Sequence, residues 1–255
     1  MLRKNKILGV NITNEIENKI LEYLFSRIKN GKSKTFITTP NPEILIYASK
    51  HLDYQDKLNH ADIALPDGIG LFFAAGVKGE QLRDRITGVD FIEILCKEAS
   101  KNPISMGFLG GKGGVAELAA KRLKMKYPWI NIVFVSENWS NNTKISKKAT
   151  EGKDTEKLVF NSQPVNIDIL FVAYGFPKQE EWIYDNLNKL PVKVAMGVGG
   201  SFDYLSGSVA RAPYLIRLIG FEWLFRLFNQ PWRLKRQLAL LEFVILIFKE
   251  RFSTT

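Results

Sequence analysis

The 255-residue chain predicts an α/β fold from three observations. Short apolar runs rich in Ile, Val and Phe alternate with stretches of helical period up to about residue 198. Strand and helix alternating in this way imply crossover units around a largely parallel sheet. After Gly207 the alternation stops, and aromatic-rich, basic helical segments take over. The expected architecture is a Rossmann-like sheet flanked by helices over residues 1–210, followed by a helical C-terminal appendage over residues 211–255.

Taken in order, the strand-like runs are 36–39, 61–65, 104–109, 130–135, 167–173 and 192–198. The helical stretches between and around them are 14–29, 41–52, 89–100, 114–127 and 178–190. Residues 136–157 are a polar mixture of Asn, Ser, Thr, Lys and Gly, which predicts a mobile surface connection with a helix beginning near Asp154. In the appendage, Leu218, Phe221, Phe225 and Phe228 fall at helical spacing, Pro231 breaks that helix or opens the next, and residues 232–251 can continue as a second. No internal repeat is visible.

Composition narrows the function classes. Hydrophobic residues make up 45% and charged residues 24%, the balance of a folded globular protein. The one cysteine, Cys96, cannot form an internal disulfide and lies in an apolar helical stretch, so it reads as a small core residue. Residues 1–10 hold basic side chains but no apolar core of a signal peptide, which predicts a cytoplasmic protein. The longest apolar run, 238–248, is interrupted by Glu242 and falls short of the roughly 18 residues needed to cross a bilayer. Net charge is +10, and residues 211–255 contribute eight Lys/Arg against three Asp/Glu, which suggests an anionic partner for that end. No nucleic-acid-binding module accompanies the charge, so nucleic acid is not the expected partner.

In open α/β sheets ligands bind beyond the carboxyl ends of the strands, so the residues after each strand are the candidate site. TTPNPE (38–43) ends a strand in two hydroxyls, Thr39 among them, and offers Asn41 either as a helix cap or as a ligand group. LPDGIG (65–70) puts Asp67 at the mouth of a strand, where a carboxylate can accept a proton from an incoming hydroxyl. Arg85 follows as a diphosphate ligand, and Asp90 as a helix-start residue. The glycine-rich GFLGGKGG (107–114), with Gly110 and Gly111, lets backbone amides approach a diphosphate but is neither a dinucleotide fingerprint nor a P-loop. YGFPKQEEW (174–182) offers the Gln179 amide for a sugar or uracil edge, with Glu180 and Glu181 favouring a helix start, and GVGGSFD (197–203) offers Gly199 and Gly200. His51 and His60 lack metal-ligand spacing and no Asp-x-Asp pair occurs, so neither a metal nor any other cofactor is expected.

The ordered set TTPNPE, LPDGIG, RITGVD, GFLGGKGG, YGFPKQEEW, GVGGSFDYLSG, RAP and EWLFRL…QPWRLKR resembles the WecG/TagA/CpsF family of bacterial glycosyltransferases over nearly the whole chain. The polar insert at 136–157 is the least typical part. The resemblance implies transfer, with inversion and no metal, from a UDP-sugar donor to a lipid-diphosphate-linked acceptor, undecaprenyl-diphosphate N-acetylglucosamine. It implies N-acetylmannosamine as the sugar, with its uronic acid or another UDP-hexose as the alternative, and a non-catalytic nucleotide-binding protein as the reading from another class. Carried across residue by residue, Asp67 matches the base, Thr39 and Asn41 the pocket beside it, Arg85 and Gln179 positions near substrate, and Arg226, Arg233 and Arg236 the basic C-terminal set. The appendage would then sit peripherally on the inner face of the cell membrane; self-association into a homo-oligomer is left open.

Overall fold

The computed structural model describes the chain except residues 32, 140–142, 151–152, 161–162, 230–233 and 254–255; over 143–165, at 229, over 234–238 and at 253 it describes the backbone alone. A hairpin of β1 (Lys4–Ile7) and β2 (Val10–Thr13) precedes α1 (Glu17–Asn30) and β3 (Thr35–Thr38). There follow α2 (Pro42–Lys50), α3 (Leu52–Asn59), β4 (Ile63–Ala64), α4 (Ile69–Val77), α5 (Gly88–Glu98), β5 (Ser105–Gly110), α6 (Val115–Lys126) and β6 (Asn131–Ser136). After three further strands come β10 (Ile167–Ala173), α7 (Lys178–Asn186) and β11 (Val192–Gly197). The chain closes with α8 (Ser201–Leu205), α9 (Tyr214–Leu218), α10 (Glu222–Asn229) and α11 (Leu234–Ser253).

The main sheet has the order β4-β3-β11-β10-β5-β6, with every neighbouring pair parallel. Its strands are apolar on both faces because helices cover both. In β10, Ile169 and Phe171 join the core beneath α1, α5 and α6, while Leu170 and Val172 join the core beneath α7. A third cluster lies off the sheet, where Ile7, Val10 and Ile12 of the hairpin meet Leu45, Leu71 and, from α11, Phe243 and Ile247. Cys96 is buried in the first cluster. Among the described residues no helix is long and apolar enough to cross a membrane.

The six expected strands are all present, and they form the expected largely parallel sheet. The insert departs from expectation. Instead of a loop with a helix near Asp154, it forms an antiparallel sheet of β7 (Thr143–Thr150), β8 (Lys153–Phe160) and β9 (Gln163–Val165), and Asp154 lies inside β8. The run 157–160, KLVF, favours a strand, and the register sets Lys147 opposite Glu156 and Ile145 opposite Leu158, pairings that suit an antiparallel ladder. The expected helix through Leu218 and Phe228 is in fact two, because Gly220 adopts φ 84° between α9 and α10.

Candidate active site

All six strands point the same way, so their carboxyl ends, at Thr38, Ala64, Gly110, Ser136, Ala173 and Gly197, share one edge. Three groups of residues assemble along it. The first surrounds Asp67, whose backbone N–H donates to the Pro40 carbonyl at 3.0 Å and so ties the LPDG turn to the TTPN turn. Gly68 follows at φ 92°. The Asp67 side chain is partly buried, and burial pushes its carboxyl group up to about 7. The negative charges of Glu222 and Asp90 push the same way, while Arg85 and Arg211 oppose them.

Asp90 organises the cations around this carboxyl group. Thr87 caps α5, accepting from the Asp90 N–H at 3.2 Å and donating to Asp90 Oδ2 at 2.7 Å. Asp90 Oδ1 then accepts from Arg211 Nη2 at 2.8 Å and Arg217 Nη1 at 3.4 Å, and Arg211 Nε reaches Glu222 Oε1 at 3.4 Å. Arg85 donates to the Arg217 carbonyl. Helices α9 and α10 are thus tied over Asp67 by charge and hydrogen bonds.

The second group is the turn after β11. Thr39 Oγ1 donates to the Gly197 carbonyl at 3.1 Å, the Gly199 N–H donates to Gln179 Oε1 at 2.9 Å, and Ser201 Oγ donates to the Val198 carbonyl at 2.6 Å. Gly88, opening α5, packs so close that a methyl group there would lie 2.9 Å from Ser201 Oγ and 3.6 Å from the Val198 carbonyl oxygen. Arg226 of α10 covers the turn. A methyl group on Gly200 would lie 3.4 Å from its Nη2, and its guanidinium stands 4.9 Å from the Tyr204 ring centroid. Arg226 Nε is buried and has no hydrogen-bond partner among the described residues.

The third group is the glycine-rich turn after β5. Gly110 and Gly111 adopt φ 98° and 76°, and a methyl group on Gly110 would come within 2.8 Å of the Ala173 carbonyl. The close approach of this turn to the end of β10 therefore requires glycine at 110.

Sequence reasoning located Asp67, Arg85, Thr39, Gly110, Gly111, Gly199, Gly200 and Arg226, and the structure sets all of them at this edge or directly over it. Asn41 caps α2, its side chain accepting from the Ile44 N–H at 3.0 Å. Gln179 is 1% exposed and both ends of its amide are occupied within the protein. Arg233 lies outside the described residues, and Arg236 lies in α11 where only the backbone is described. The partners that sequence reasoning missed are Arg211, Arg217 and Glu222 around Asp90, and Tyr54 beside Glu180. Glu180 had a detectable signal: it shares one helical face with Ile183 and Leu187, both buried. Among the described residues no three His, Cys, Asp or Glu side chains are grouped as a metal site requires.

A model of the glycosyl transferase WecG/TagA/CpsF family matches residues 5–255. The chain belongs to this family. As a WecG/TagA/CpsF member it is a glycosyltransferase, and its relatives are matched over most of their length. It is 31% identical over 250 residues, 98% of this chain and 93% of the relative, to the N-acetylglucosaminyldiphosphoundecaprenol N-acetyl-beta-D-mannosaminyltransferase of Bacillus subtilis (strain 168). Proteins with the same name from Staphylococcus aureus (strain MRSA252) and Bacillus spizizenii are 34% and 33% identical over 88% and 84% of this chain, and over 84% and 79% of their own lengths. The shared span of the WecG/TagA/CpsF match covers all three groups of site residues and reaches through the C-terminal helices.

Proposed function

We propose that this glycosyltransferase moves N-acetylmannosamine from UDP to undecaprenyl-diphosphate-linked N-acetylglucosamine with inversion, and that Asp67 is the general base. The sugar and acceptor follow the names of the relatives. Those names specify a beta product, and a beta product from an alpha-linked UDP-sugar requires inversion. The observation that carries the proposal is Asp67 itself, a carboxyl group at the carboxyl edge of a parallel sheet, its pKa raised to about 7, with Arg85 and Arg211 within electrostatic reach. Its carboxylate takes the proton of the acceptor hydroxyl as that oxygen bonds to the anomeric carbon. The bond from that carbon to the diphosphate oxygen breaks, and UDP leaves with the electron pair.

Negative charge grows on the departing diphosphate, and cations fixed in advance stabilise it without a divalent ion. Arg226, whose Nη2 faces Gly200 and whose Nε has no hydrogen-bond partner among the described residues, serves together with Arg85, and the sequence adds Arg233 and Arg236 to the basic set. Thr39 keeps lone pairs, and Asn41 its amide NH2, for the acceptor sugar. The exposed side chains Tyr214, Leu215, Leu218, Ile219 and Phe221, beside Arg217 and Arg226, form an apolar and basic surface suited to the membrane face that carries a lipid-linked acceptor.

The test is UDP release from UDP-N-acetylmannosamine with a short-chain lipid-diphosphate N-acetylglucosamine, with and without EDTA. Its uronic acid and UDP-glucose serve as competing donors. Turnover should survive EDTA and prefer UDP-N-acetylmannosamine, and Asp67→Asn should lower it about 10²–10⁴-fold while UDP still binds. Near-normal turnover by that variant removes Asp67 from the mechanism.

A further inference from the structure

Glu180 is not used by the chemistry above, yet it is fully buried beside the site, at 0% exposure. A glutamate that merely starts a helix gains its small benefit at the surface, and burying it is costly unless it is hydrogen-bonded. Here both carboxyl oxygens are engaged. Gln179 Nε2 donates to Oε1 at 2.7 Å, and the Tyr54 hydroxyl, brought by α3, donates to Oε2 at 3.1 Å. Burial pushes the Glu180 carboxyl group up to about 7, with both hydrogen bonds pulling the other way. Either protonation state leaves it an acceptor oxygen for Gln179.

An amide has two unlike ends, and only its oxygen can accept from a backbone N–H. The Gly199 N–H donates to Gln179 Oε1, so Gln179 works only when its NH2 points the other way, at Glu180. Gly197 makes room for the pair, since a methyl group there would lie 3.0 Å from Gln179 Nε2 and 3.2 Å from Glu180 Oε1. The turn is pinned at Gly197 by Thr39, at Val198 by Ser201 and at Gly199 by Gln179, and its Gly200 faces Arg226.

We infer that Glu180 is a positioning residue: held between Tyr54 and Gln179, it fixes which end of the Gln179 amide meets Gly199, and so shapes the turn that receives the donor diphosphate. This rests on the proposed function for the identity of the ligand, but not for the relay itself. Glu180 acts through Gln179 alone, so the two residues should behave as one unit.

The experiment compares Glu180→Leu, Gln179→Leu, the double variant and Glu180→Gln by the Gly199 amide resonance without ligand, UDP affinity, and steady-state kinetics. Each leucine variant should shift the Gly199 amide and raise both the UDP Kd and the KM for the UDP-sugar about tenfold, the size of one lost hydrogen bond, with kcat changed less than about threefold. The double variant should be no worse than either single one. Glu180→Gln still offers an acceptor to Gln179 and should stay within about threefold of the parent. An unmoved Gly199 amide in a folded Glu180→Leu protein, or losses that multiply in the double variant, would overturn the inference. Should Glu180→Leu fail to fold, Tyr54→Phe, which deletes one oxygen, should still move the Gly199 amide, and an unmoved resonance there overturns the relay equally. A parent protein that binds no UDP refutes the turn as a diphosphate site, while the Gly199 resonance still decides the relay.

Discussion

The two parts of the C-terminal segment meet the sheet domain by different forces. Helix α11 is held by apolar burial: Phe243 and Ile247 are 1% and 0% exposed within the cluster of the N-terminal hairpin, α2 and α4. Its polar side chains add Glu242 with Lys50 and Glu250 with Lys78. Helix α9 has no buried residue, and α9 and α10 are joined to the domain largely through Arg211, Arg217, Asp90 and Glu222. Apolar burial is stable and insensitive to salt, whereas part-exposed ion pairs are weak and screened. One helix therefore anchors the segment, while the two before it form an adjustable wall over Asp67. The wall also carries Glu222, one of the charges that raises the Asp67 pKa, so its seating and that pKa are linked.

The contrast can be broken by substitution. Phe243→Ala should cost about 3–5 kcal/mol in denaturant unfolding, because it empties a filled apolar site; a cost under about 1 kcal/mol would mean that α11 is not an anchor. Asp67→Asn should do the opposite. The folded pKa of about 7 exceeds the ordinary 3.8, so the folded state keeps the proton longer, and this group's contribution to stability falls as pH rises from about 4 through 7. The asparagine variant should therefore melt higher than the parent at pH 8 and show little difference at pH 4. Asp90→Asn removes the anion shared by two arginines of the wall. We expect about 1 kcal/mol or less in stability, lower turnover with the gap to the parent widest at low salt, where the lost ion pairs are least screened, and an acid-side activity limb moved to lower pH, since one of the charges raising Asp67 is gone. Phe228→Ala, at a side chain 77% exposed, should change stability by less than about 0.5 kcal/mol, and any effect should appear only with membrane-bound acceptor.

The sheet was legible because strands covered on both faces are continuous apolar runs, and 167–173 and 192–198 leave little else to be. The hairpin of β1 and β2 was not, because each strand has four residues and Asn5, Lys6 and Asn11 mask the pattern. Helix α4 was missed for another reason: IGLFFAAGV is apolar on every side, so it has no periodic signal. Asp67 could be picked out by its place after a strand, but its environment could not, since Arg211 and Glu222 arrive from more than 140 positions further along the chain. Gln179 showed the reverse. Its position in the site was readable, yet its amide proved to be spent on Glu180 and Gly199, a matter of packing that no local pattern reveals.

Whether Asp67 takes the acceptor proton can be read from the pH dependence of kcat/KM with a soluble acceptor analogue, measured for the parent and for Asp67→Asn. A base must be ionised, so the parent should show activity rising with pH through an apparent pKa of about 7. The residual rate of Asp67→Asn should lack that limb. A parent profile flat from pH 5 to about 8, or the same limb in both proteins, would contradict the account.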